Sequence, residues 1–180
     1  MNLDPRRPES GSAVPVSLPT LEEIFRDEAA FVGRTLRFLG VRDSHVEDAC
    51  QEVFVVIHRR LSSFTGGSLR AWVRQICVGV AQNHRRGQRR RPEEITAEPP
   101  AGATPPDQEG ALERRRLRGR LLLVLDGLPE EQREAFVLYE IEELTMVEVA
   151  AALDCPLQTA YSRLHAARSK IQAAAGEGEP

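Results

Sequence analysis

Long apolar runs are missing from this chain. No stretch approaches the roughly 20 residues needed to cross a bilayer. The segment 1–20 holds four prolines, Gly11 and scattered charge, without the apolar centre of a signal peptide, and reads as a disordered tail. Aromatic residues make up only 5% against 41% hydrophobic, so any core must be built from small aliphatic side chains. Strand-like alternation is absent throughout, which leaves an all-α chain. The three cysteines, Cys50, Cys77 and Cys155, are far apart. They form no Cys-x-x-Cys and no His/Cys cluster at zinc spacing, which excludes a metal framework. They read as small packing thiols in a reducing, cytoplasmic setting. Catalytic signatures are also lacking. His45, His58, His84 and His165 are scattered and no glycine-rich phosphate loop occurs, so the expectation is a protein that is not an enzyme and uses no cofactor or metal.

The net charge of −3 argues against a nucleic-acid binder until its distribution is read. Residues 21–91 carry 13 bases and 8 acids; 92–110 carries five acids and no base; 111–175 with the tail 176–180 carries 9 bases and 12 acids. A basic block is thus offset by an acidic spacer. That spacer also holds five prolines and two glycines, a linker composition that divides the chain into two helical modules.

The second module contains the densest signal. Thr145-Met146-Val147-Glu148 is a Thr-x-x-Glu capping box opening a short helix, with Val149, Ala150 and Leu153 facing inward. Asp154-Cys155-Pro156 breaks it, because proline cannot continue a helix. From about Leu157 a second helix carries Ala160, Leu164, Ala167 and Ile171 as one apolar stripe. Opposite lie Gln158, Ser162, His165, Ala166 and Ser169, flanked by Tyr161, Arg163, Arg168 and Lys170, with no acid between Cys155 and Ala175. A small, polar, cationic face is what a helix needs to enter a major groove. A solvated helical hairpin is the plainer reading.

The first module reads as three helices. Leu21 to Leu39 has Leu21, Ile24, Phe25, Phe31, Val32, Leu36 and Leu39 as apolar contributors and Gly40 as its stop. Ser44-His45-Val46-Glu47 looks like a second capping box, followed by a core stripe of Val46, Ala49, Cys50, Val53 and Ile57. The opposite face, with Asp48, Gln51, Glu52 and Val55, suits protein docking or plain solvation. After a Ser62–Gly67 loop, a third helix packs Leu69, Trp72, Val73, Ile76 and Val80 inward. Its far face carries Arg74, Gln75, Val78, Gln82 and Arg85. It ends in five arginines within seven positions, Arg85 to Arg91, with no interleaved carboxylate; such a run favours phosphate.

In this order the pieces resemble bacterial sigma factors of the extracytoplasmic-function type. The similar stretches are Val46-Glu47-Asp48-Ala49-Cys50-Gln51-Glu52-Val53-Phe54, Leu61 through Val73, Leu128 through Phe136, and the helix-turn-helix through Ser162-Arg163-Leu164. The resemblance implies a two-domain factor that binds core RNA polymerase and promoter DNA: 21–91 like sigma region 2, 92–110 a linker, 111–175 like region 4. It implies polymerase docking by Asp48, Gln51, Glu52 and Val55. It implies reading and melting of the −10 element by Phe64, Ser68, Arg74, Gln75, Asn83, Arg85 and Arg86. It implies −35 reading by Gln158, Thr159, Tyr161, Ser162, Arg163, His165 and Arg168. Members are commonly held inactive by an anti-sigma factor. The chain departs from the pattern at Val78-Gly79, where polar or basic residues followed by Asn are usual, and at Tyr161 and Ala166, where cations are common. Missing cations weaken phosphate contact or alter base preference.

Two competing readings are a helix-turn-helix regulator that does not recruit polymerase and a helical adaptor that does not touch DNA. The first leaves the basic module unexplained; the second leaves the Arg85–Arg91 cluster unexplained.

Overall fold

The computed structural model describes residues 19–90 and 108–176, so 1–18, most of the acidic spacer and 177–180 lie outside the described residues. The described residues are helical, with no strand among them. The first module comprises α1 (Leu21–Phe38), α2 (Val46–Arg60) and α3 (Leu69–Arg90); the second comprises α4 (Gln108–Asp126), α5 (Glu130–Phe136), α6 (Met146–Ala152) and α7 (Leu157–Gly176). α4 therefore opens three residues inside the range expected to be linker.

Local rules set most boundaries. Thr20, expected to belong to the tail, caps α1: its hydroxyl accepts from the Glu23 backbone N–H while the Glu23 carboxylate accepts from Thr20 N–H. α1 ends as expected at Gly40, whose φ of +90° lets Gly40 N–H reach Arg37 O and Val41 N–H reach Leu36 O. The capping box expected at Ser44 does not form. A 3-10 turn over Asp43–His45 precedes α2, His45 is the capping residue without a side-chain bond, and Asp43 is engaged by Arg37 at 2.7 Å instead. The Thr145/Glu148 box does form. α6 then closes on Asp154, which takes φ +46° so that Cys155 N–H can bond Ala150 O at 3.0 Å.

The expected core stripes are largely in place: Ile24, Val32, Leu36 and Leu39 of α1, Val46, Ala49, Val53 and Ile57 of α2, and Val73, Ile76 and Val80 of α3 are buried. Phe25 and Phe31, also expected inside, are exposed, and Phe25 packs on Phe54 with ring centroids 4.8 Å apart. Cys77 is fully buried, and burial pushes its thiol up to about 12, which leaves it an inert packing group. Ala160, Leu164 and Ala167 seat α7 on α5 and α6.

The two modules pack on one another, α3 against α6 and α1 against α4. Much of the far face of α3 is taken up by this packing: Arg74 is 1%, Val78 3% and Arg85 7% exposed, while Gln75 stays exposed. Helical periodicity separates one face from another but does not say which partner a polar face will meet.

Candidate polymerase and nucleic-acid interfaces

Three surfaces carry the chemistry singled out in the sequence. On α2, Asp48, Gln51 and Glu52 are exposed and Val55 is 47% exposed, all on the side away from the core stripe. Beside them lies a groove of about 720 Å³ between α1 and α2, floored by Phe25, Cys50, Phe54 and Val55 and edged by Gln51 and His58. The groove was not legible as such. Phe25 sits in the apolar pattern of α1, and only packing shows that it faces outward. Glu52 Oε1 also lies 3.2 Å from His84 Nε2 on α3.

The second surface is α3 with the loop before it. Phe64 and Trp72 pack at 5.2 Å between centroids, and Ser68 caps the helix by accepting from Ala71 N–H at 3.1 Å. Gln75 and Asn83 are exposed, and Arg86 is exposed and bonded to Asn83. Arg74 and Arg85 are elsewhere engaged. Arg74 Nε donates to Glu142 Oε2 at 2.6 Å, and its Nη1 pairs with Glu28. Burial alone would pull the Arg74 guanidinium down; its hydrogen bonds to Glu28 and Glu142 and their charges outweigh that and hold it above its ordinary value. Arg85 pairs with Glu130 at 3.2 Å and Glu134 at 3.7 Å, and donates to Leu39 O. Arg89 also reaches Glu130, at 3.3 Å. The arginine run is therefore not free of carboxylates: they arrive from α5, more than 40 residues along the chain. Arg91 lies outside the described residues.

Glu142 is the residue that sequence reasoning missed. A π-helical turn over Val137–Ile141 follows α5, and Glu142 N–H closes a wide bond to Val137 O at 2.9 Å. Glu143 then takes φ +55° and turns the chain into α6. The Glu142 side chain is left fully buried against the first module. Its Oε1 accepts from the Thr35 hydroxyl at 2.6 Å, and Arg34 and Arg70 stand 3.9 and 4.0 Å away. No sequence signal marks it, since Glu142-Glu143 reads as a solvated loop pair.

The third surface is α7. Gln158, Ser162 and His165 are exposed, Tyr161 is 50% exposed, and Thr159 and Arg163 are half-buried. Arg168 is exposed but held by Glu140, with its Nε 2.7 Å from Oε1, and lies over the Tyr139 ring. The outward side of α7 thus presents small polar groups with Arg163 and Arg168 at its margin, a shape suited to a groove.

A Sigma-70 region 2 family model matches residues 24–91, and a Sigma-70 region 4 model matches residues 118–171. The ECF RNA polymerase sigma-E factor of Escherichia coli K12 is 35% identical over 141 residues, covering 73% of this chain and 74% of that protein. The ECF RNA polymerase sigma factor SigE of Mycolicibacterium smegmatis is 31% identical over 161 residues, covering 87% of this chain; the match spans 62% of that longer relative. Among solved structures, CnrH in complex with the cytosolic domain of CnrY aligns with a TM-score of 0.67 at 21% identity, over 88% of this chain and 89% of CnrH. The sigma factor RpoE of Bartonella quintana, solved with the anti-sigma factor NepR, aligns with a TM-score of 0.62 at 24% identity, over 86% of this chain and 98% of that one. The chain belongs to the sigma-70 family, in its ECF branch.

Proposed function

We propose that this protein is an alternative sigma factor that binds core RNA polymerase and directs promoter-specific initiation. One observation carries the reading: a region 2 match and a region 4 match stand in order on one chain, each on a helical unit bearing an exposed polar face of the expected kind. Residues 21–91 form the polymerase-docking and −10 unit, 92–110 the linker and 111–175 the −35 unit. Asp48, Gln51, Glu52 and Val55 dock on polymerase, and the adjacent apolar groove extends that surface. Phe64, Ser68, Arg74, Gln75, Asn83, Arg85 and Arg86 take the −10 strand: aromatic faces stack on unpaired bases while cations track the backbone. Gln158, Thr159, Tyr161, Ser162, Arg163, His165 and Arg168 read the −35 element in the major groove. The role is non-catalytic and cytoplasmic. The Bartonella quintana sigma factor RpoE, solved with the anti-sigma factor NepR, supports an anti-sigma partner here as well.

The test is equilibrium binding of the labelled protein to core RNA polymerase, with a Gln51→Ala/Glu52→Ala variant beside it. Both side chains are on the exposed face of α2, so the variant keeps its fold. Tight binding by the parent and loss by the variant is the expected result. No binding by the folded parent would leave a helix-turn-helix regulator as the better account.

A further inference from the structure

A recess of about 380 Å³ lies beside the C-terminal part of α3, and its walls carry four guanidinium groups. Arg42 comes from the turn after α1, Arg85 and Arg89 from α3, and Arg133 from α5. One carboxylate, Asp126 at the end of α4, shares the wall. Gly40, at φ +90°, has no side chain to fill the space: Arg133 Cζ and Arg85 Cδ lie 3.2 and 3.6 Å from where its Cβ would stand. Two cationic side chains are thus brought together on one glycine. The four arginines come from distant parts of the chain, so no local pattern announces the cluster.

Their charges are not balanced. Asp126 pairs with Arg133 at 3.0 Å, and Glu130 pairs with Arg85 and Arg89 at 3.2 and 3.3 Å. Glu134 stands 3.7 Å from Arg85, and burial raises its carboxyl toward the neutral form. Four cations therefore meet three acids, one of them biased toward losing its charge. Burial holds the Arg133 guanidinium below its ordinary value, and the nearby Arg85 charge adds to that against the pull of Asp126. A multivalent anion in the recess relieves this repulsion. Guanidinium forks match phosphate oxygens in particular, since two parallel N–H donors meet two oxygens.

The recess suits a small anion better than a nucleic-acid strand. A strand needs aromatic faces for its bases and cations that continue along its backbone. No aromatic residue is among the described residues that line the recess, Asp126 and Leu128 interrupt the wall, and Arg86 is bonded to Asn83 and lines none of it.

We propose that this recess binds a small phosphate-bearing anion with the size and charge of a diphosphate, held by Arg42, Arg85, Arg89 and Arg133. The inference goes beyond the sigma-factor reading and does not depend on it. A ligand that binds only the folded chain raises its thermal midpoint as its concentration rises.

Pyrophosphate and inorganic phosphate are titrated calorimetrically into the full chain at fixed ionic strength, with sodium chloride as reference, and thermal midpoints are recorded alongside. One pyrophosphate per chain is expected to bind, more tightly than phosphate, and to raise the midpoint where chloride does not. Arg89→Gln, whose side chain is 69% exposed and whose fold survives the change, binds pyrophosphate about fivefold more weakly, the size of one solvent-screened charge pair. Asp126→Asn binds it more tightly, because the carboxylate on the wall is gone while Arg133 stays held by Leu125 O at 2.7 Å. Arg59→Gln and Glu22→Gln make the same charge changes at exposed positions outside the recess and leave the affinity unchanged. Arg89→Gln also keeps the parent's affinity for a mixed-sequence single-stranded oligonucleotide. Absence of saturable pyrophosphate binding would overturn the proposal, as would equal weakening in Arg59→Gln, which marks a general charge effect. Phosphate binding as tightly as pyrophosphate would overturn the diphosphate assignment. Equal loss of pyrophosphate and oligonucleotide affinity in Arg89→Gln would give the recess to a nucleic-acid backbone instead.

Discussion

Arg74→Met removes the guanidinium that joins the two modules while keeping similar bulk. Arg74 is 1% exposed and bonds both Glu28 of α1 and Glu142 of the second module. Removing one partner of a buried ion pair costs about 3–5 kcal/mol, because the other charge is left without compensation. Here Glu142 keeps the Thr35 hydroxyl at 2.6 Å and two guanidinium groups near 4 Å, and Glu28 is partly exposed and can regain water, so the low end applies, about 3 kcal/mol. The modules can also separate and return Glu142 to solvent. The loss is then capped by the free energy that holds them together, and Trp72 emission shifts while helix content stays unchanged. The assay is urea unfolding followed by Trp72 emission and by far-ultraviolet circular dichroism. The midpoint falls by about 1 M or more at the slopes usual for small domains, or the emission change precedes the loss of helix. The double variant Arg74→Met/Glu142→Met removes both charges and recovers at least about 1 kcal/mol relative to the summed single losses. An Arg74→Met protein within about 0.5 kcal/mol of the parent, with unmoved Trp72 emission, would refute the assigned role of this cluster.

Three further outcomes follow from local geometry. Glu148 is held below its ordinary 4.5 first by the Thr145 backbone N–H and then by the Thr145 hydroxyl; its contribution is present above about pH 4.5 and is lost as pH falls through the depressed value, so Glu148→Gln should flatten that part of the stability–pH profile measured by thermal unfolding, and Thr145→Ala should cost about 1 kcal/mol at pH 7. Gly40→Ala should lower stability by about 1–2 kcal/mol in the same assay, since φ is +90° and a Cβ there would stand 1.9 Å from Arg133 Nη1, displacing a side chain that the second module anchors to Leu125 O at 2.7 Å; an unchanged melting temperature would show that Arg133 does not need that seat.

Helix identity was readable wherever the information is local. The stripe of Ala160, Leu164 and Ala167, the Thr145/Glu148 box, the stop at Gly40 and the break at Pro156 each depend on residues within one or two turns, and each is present. Ser44-x-x-Glu47 shows where such reasoning stops: Arg37, on the preceding helix, takes Asp43 and a 3-10 turn replaces the box. The apolar groove beside Gln51 lay further out of reach, because the outward placement of Phe25 depends on how α1 sits on α2.

The amino-acid order alone determined five of the seven helices in two modules, a groove-shaped polar face on α7 and a basic run on α3, because capping and amphipathicity are short-range and need no partner. Only the tertiary structure decided what α3 touches. Glu142 and Arg74 are 68 residues apart. A carboxylate in a loop and an arginine on a helix both read as solvated until packing removes the water from between them and makes each the other's counter-charge.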